Sequence, residues 1–141
     1  MKIRIHLFAV LTIVISMLAG CGSGSKEVEP DTKALLTSGT WKMKAVTVDG
    51  VDKSTAFTNF TVSFSSTAFT SANGSPVWPA TGTWSFADAT QKSVKRSDNV
   101  IVTINDITEN QLTVSLTWAK STLGAGRIES VAGAYSFTLN K

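Results

Sequence analysis

Cys21 and His6 are the only cysteine and the only histidine in this chain of 141 residues. One thiol cannot form a disulfide within the chain, so no covalent staple supports the fold. Zinc and copper centres draw on clusters of His and Cys, which single copies cannot supply. Catalysis of the Ser-His-Asp or Cys-His kind needs an imidazole base beside the nucleophile. A Ser-Lys pair is available by composition, but no motif sets one in a strained turn. Proline is confined to Pro30, Pro76 and Pro79. Long apolar runs are also scarce. The one that stands out, Leu7 to Ala19, is interrupted by Thr12 and Ser16 and falls short of the roughly 20 residues that span a bilayer.

That run has its own logic. Lys2 and Arg4 precede it, and the small residues Ala19 and Gly20 close it, giving the three parts of a secretory signal. A retained anchor helix is the alternative. Leu18-Ala19-Gly20-Cys21 resembles the lipobox of bacterial lipoprotein precursors. The resemblance implies cleavage before Cys21 and acylation of that cysteine, palmitate being one such acyl group. The expected organisation is a signal peptide over 1–20, a flexible tether over 21–31 carrying the lipidated Cys21, and one folded domain over 32–141. The tether, Gly22 to Asp31, is small and polar and reaches at most about 35 Å, on average about half that. Loss of Lys2 and Arg4 lowers the formal charge from +3 to about +1, with 11 basic residues against 10 acidic ones. A nucleic-acid partner then lacks the dense basic face it needs. Loss of His6 leaves the domain without histidine.

Downstream the pattern is of period two. Asp31 can cap a helical turn through Thr32 to Leu36 that ends at Gly39. Trp41, Met43 and Ala45 then alternate with Lys42 and Lys44, and Val46 and Val48 extend the run to Asp49-Gly50. Phe60, Val62 and Phe64 form a second row. Phe69 lies in a short run ending at Asn73-Gly74, a hairpin turn signal. Trp84 and Phe86 form a further row, as do Val100, Val102 and Ile104, then Leu112, Val114, Leu116 and Trp118, and finally Tyr135, Phe137 and Leu139. Apolar residues alternating with Thr and Ser predict half-buried antiparallel strands. About seven or eight of them, with one short N-terminal helical turn, predict an all-β domain. A small antiparallel up-and-down barrel is the first expectation and a β-sandwich the alternative. Val51 to Asn59, Pro76 to Gly82 and Asp88 to Asn99 read as connections. Ser121 to Gly133 reads as a loop or an irregular strand extension.

Gly39-Thr40-Trp41, following a helical turn, resembles the start of a lipocalin. With the echo in Gly82-Thr83-Trp84, the ending Gly133-Ala134-Tyr135-Ser136-Phe137 and the lipobox, residues 35 to 141 resemble the lipocalin-like domains of small bacterial lipoproteins. The resemblance implies a lipocalin-like β-barrel, with Trp41 closing its floor and a basic residue packed on Trp41, for which Arg127 is the candidate. It also implies a ligand-binding role and a Gram-negative cell envelope, with the outer membrane as the expected site. The family's Thr-Asp-Tyr triplet is missing, and a short barrel can fill its interior with its own side chains.

The remaining polar groups suggest structure more than chemistry. Asp49 and Asp52 flank Gly50 without the denser spacing of a calcium loop, and Asp-Gly is turn chemistry. Asp106 and Glu109 read as a polar hairpin connection. Asp88, Asp98 and Glu129 offer no evident pair across a cleft. Lys92, Lys95 and Arg96 read as a solvated loop, with anionic headgroups or an acidic glycan as the alternative partner. Asn59-Phe60-Thr61 and Asn73-Gly74-Ser75 match the glycosylation pattern, and the bacterial resemblance implies that these are coincidences of a Thr/Ser-rich chain. Trp41, Trp84 and Trp118 belong to the alternating rows and read as core. Trp78, between Pro76 and Pro79, cannot sit in a regular paired strand. It is expected either against the barrel rim or over the mouth as a stacking surface, with Phe57 a second candidate of the same kind. The expected function is that of an exported, membrane-anchored lipoprotein binding a small apolar or amphipathic ligand through Trp78 and Phe57. The alternative is a structural or protein-interaction module of the envelope, with a filled barrel. Neither reading calls for enzymatic activity, a cofactor or a metal.

Overall fold

The computed structural model describes residues 31–119 and 131–141 in full and the backbone of 122–124 and 127–130. The signal run, Cys21 and most of the tether lie outside the described residues. Asp31 accepts a hydrogen bond from Lys33 N (3.0 Å) and so caps helix α1, Thr32–Thr37. Strand β1 (Thr40–Val48) follows, then β2 (Val51–Asp52), a 3-10 turn (Ser54–Phe57), β3 (Thr61–Phe64), β4 (Ala68–Ala72) and β5 (Thr81–Phe86). The chain continues through β6 (Ser93–Arg96), β7 (Ile101–Ile107), β8 (Gln111–Trp118), β9 (Thr122–Gly124), β10 (Arg127–Ser130) and β11 (Gly133–Asn140).

Eight strands form a closed antiparallel barrel in the order β1-β3-β4-β5-β6-β7-β8-β11. Pairing of β11 with β1, from Lys42↔Asn140 to Val48↔Tyr135, closes the seam and decides for a barrel over a sandwich. Closure leaves no free sheet edge along the seam. The extra strand β2 continues the edge of β1 beyond β3. Asp49 and Gly50 carry positive φ (50° and 79°) and make the two-residue turn between β1 and β2. Strands β9 and β10 form a separate hairpin.

Seven of the eight barrel strands match the six alternating rows and the short run at Phe69. The eighth, β6, lies inside the expected connection Asp88 to Asn99, which is corrected here. Lys92 and Lys95 are exposed as expected, but Ser93–Arg96 pairs with both β5 and β7. Only one apolar residue, Val94, marks this strand, too few to establish a period.

The inward rows make one core running from Leu36 to Leu139. At the floor Trp41 is fully buried and its Nε1 donates to Leu36 O (3.0 Å), which ties α1 across the barrel end. The cation over the Trp41 ring is that of Lys141, with Nζ 4.5 Å from the centroid. The same ammonium also bonds Ser38 Oγ. The side chain of Arg127, the residue expected in that role, lies outside the described residues. Phe137 stands mid-barrel, 5.2 Å from the Phe57 ring, 5.4 Å from Phe60 and 6.0 Å from Trp78. We expect Phe137→Ala to lower stability by about 3–5 kcal/mol, as large-to-small changes in close-packed cores do. Thr103→Ala, on the exposed face of β7, is expected to change it by about 0.5 kcal/mol or less. Urea unfolding followed by circular dichroism separates the two.

Candidate functional site

The interior at the end opposite α1 is built around the β4–β5 connection. Thr70 pairs with Thr81, so Ser71 to Ala80 bridge the two strands, and Asn73-Gly74 does not close a tight hairpin as its sequence suggests. Asn73 does adopt positive φ (59°), and its Nδ2 donates to Asn59 O (3.1 Å). Gly74 is required by crowding: a Cβ there would come within 2.5 Å of the Phe60 ring and 2.6 Å of Trp78 Cβ. The loop is tied by Trp78 N donating to Gly74 O (2.8 Å) and Ser71 N to Ala80 O (2.8 Å). Ser71 Oγ donates to Pro79 O (2.8 Å). These bonds turn the loop inward.

Trp78 therefore lies inside the barrel, 1% exposed, and neither over its mouth nor on its rim. Phe60, Phe64, Phe69 and Phe137 stand around it at 5.8, 6.4, 5.9 and 6.0 Å between ring centroids, mostly edge to face. Phe57 is 7% exposed and packs edge-on against Phe60, Tyr135 and Phe137. The two residues expected at the ligand entrance thus share Phe60 and Phe137 as neighbours, and both belong to the core.

The residue that completes this cluster was not among the expected site residues. Arg96, expected in a solvated loop, is 2% exposed and points into the barrel from β6, on the same face as Val94. Its guanidinium lies over Trp78 (Cζ 4.8 Å from the ring centroid) and near Phe69 (5.9 Å). Asp98, two residues on, holds it by a fork: Nε donates to Oδ1 (3.1 Å) and Nη2 to Oδ2. Partial burial disfavours the charge on Asp98, but the Arg96 hydrogen bonds and positive charge, with Val100 N–H, outweigh it. The carboxyl is held below its ordinary value. A usable signal was the step of two from Val94 to Arg96, which puts both on the same face once Ser93–Arg96 is a strand.

Two donors in this cluster stay open. Arg96 Nη1 and Trp78 Nε1 are buried and have no hydrogen-bond partner among the described residues. The other indoles with assigned bonds differ: Trp41 donates to Leu36 O, and Trp84 Nε1 to Ser65 O and Ala68 O (3.0 and 3.1 Å). A cleft of about 470 Å³ opens beside the Asp98 turn, with Val100, Ile101, Leu116 and Trp118 in its wall. Neither Trp78 nor Phe57 lines it.

The other carboxylates serve turns. Asp49 Oδ1 accepts from Ala134 N (2.9 Å), and Asp52 Oδ1 from Ser54 N and Oγ (2.8 and 2.6 Å). Asp88 accepts from Thr90 and Ser93, which lowers its pKa, and it sits at the other end of β6 from Asp98. The two are not brought together, and the side chain of Glu129 lies outside the described residues. No protein-family model, curated protein or solved structure matches the chain. What the fold defines is a closed eight-stranded antiparallel barrel, compatible with a lipocalin-like one.

Gly74→Ala is expected to cost about 1–3 kcal/mol through overpacking against Phe60 and Trp78, read from the urea midpoint. The folded pKa of Asp98 lies below its unfolded value, so its contribution is complete above about pH 4 and fades as pH falls through the lower folded value. Asp98→Asn is expected to lower stability at neutral pH and to flatten, in part, the acid limb of a plot of thermal midpoint against pH.

Proposed function

We propose that the chain is the precursor of an exported lipoprotein whose barrel domain docks other components of the cell envelope. Its interior would be filled by its own side chains. The observation that carries this reading is the position of Trp78, which occupies the interior among Phe60, Phe64, Phe69 and Phe137. Lipid on Cys21 would hold the domain at the membrane, in a Gram-negative cell the outer one. The tether enters at α1, on the floor of the barrel, so the Trp78 loop, the β1–β2 turn and the β6–β7 turn would face away from the lipid. A docking surface belongs on that outward end. Catalysis has no imidazole or thiol to draw on among residues 32–141.

The cleft beside Asp98 favours a second reading, in which a small apolar or amphipathic molecule binds there rather than at Trp78 and Phe57. Its wall joins Val100, Ile101, Leu116 and Trp118 to the polar Asp98, Asn99, Thr103 and Thr117, a mixture that suits an amphipathic molecule.

Cys21→Ser is expected to move the protein from the membrane fraction to the soluble fraction and to remove the acyl mass from its N-terminal peptide. A cellular protein that begins at Met1 with unmodified Cys21 would refute the anchoring. Capture of one stoichiometric partner from solubilised membranes, with no saturable tryptophan-fluorescence response to apolar probes, supports docking. A saturable response to such a probe that is lost in Ile101→Asp, at the exposed wall of that cleft, supports the ligand reading instead.

A further inference from the structure

We propose that Arg96 Nη1 and Trp78 Nε1 form an internal binding site for an uncharged oxygen acceptor. The occupant is either a resident water or the hydroxyl or carbonyl oxygen of a very small neutral molecule. This rests on neither functional reading above.

Both groups can only donate, so an amine or a metal cation has nothing to bind to there. Both atoms are buried without a partner among the described residues, which is rare in native interiors, where such groups find an acceptor. They belong to one stack, with the guanidinium carbon 4.8 Å from the indole centroid. The charge of the occupant follows from Asp98. Its carboxylate already takes the Nε and Nη2 bonds and balances the guanidinium charge. A second anion would put unbalanced negative charge into a wall of phenylalanine rings, whereas a neutral oxygen adds none. Size follows from the rings: Phe60, Phe69 and Phe137 approach Trp78 to within 6.0 Å between centroids, which is contact packing. The site accepts water or a very small molecule.

The test uses the full chain, isotope-labelled and held in detergent micelles, with the Trp78 indole N–H as reporter and Trp78→Phe to assign its signal. The probes are ethanol, as a small neutral hydroxyl compound, and acetate. A cross-peak between the Trp78 indole proton and long-lived water, unmoved by either probe, supports the proposal with water as occupant. A saturable shift with ethanol and none with acetate supports it with the small neutral molecule. Acetate binding to the wild type, or an indole proton with neither water contact nor ethanol response, overturns it. Asp98→Asn tests the charge argument separately. With the guanidinium no longer balanced, acetate is expected to shift the Trp78 signal at least tenfold more readily than in the wild type. A variant that is folded by circular dichroism and still ignores acetate overturns the argument.

Discussion

A ring carried by a loop stands among the inward strand residues of this barrel, and the neighbouring packing is arranged to receive it. Short strands deliver inward side chains only at every second position, and close packing demands that the space between them be filled. Trp78 fills it from the β4–β5 connection. Gly74 is bare so that the Phe60 ring and Trp78 Cβ can approach, and Ser71 folds the returning loop onto β4. Phe64, Phe69 and Phe137 meet it edge to face, and Phe60 meets it at a tilt. Arg96 covers its face. Each of these residues would be unremarkable without the indole.

The buried arginine shows how a charge becomes tolerable in such a place. A guanidinium is weakly hydrated and flat, so it can stack on an indole while its edge bonds a carboxylate. Asp98 follows it by two residues at the barrel end, where it can stay 32% exposed. The pair thus spans from the aromatic interior to solvent. Carboxylate hydration is kept on one side, and ring contact is gained on the other. An isolated cation at the position of Arg96 would have neither.

Most of the architecture was legible in the sequence because burial follows period two. Six rows of alternating residues and the short run at Phe69 correspond to seven barrel strands, and Asp49-Gly50 forms the turn its residues specify. What stayed hidden has a common cause: the local signal was real but answered a different need. Asn73-Gly74 suggests a tight turn, yet its glycine serves packing. Pro76 and Pro79 take Trp78 out of any strand, and from that alone a rim or a mouth was the natural place for it. Polar composition hid β6, since a strand that buries an arginine resembles a loop. Lys141 over Trp41 was likewise out of view, because nothing near Trp41 in sequence points to a residue paired only through the closing strand.

The seam between β1 and β11 has a temporal meaning. Lys42 meets Asn140 and Val48 meets Tyr135, so the first strand of the barrel finds its second neighbour only when the last strand exists. Until then β1 has only β3 and the short β2 beside it, and Phe137 is missing from the cluster around Trp78. Such distant pairings are slow to form. A growing chain of this kind stays open until its final segment is made, which keeps it threadable for any machinery that must pass it, extended, through a narrow channel.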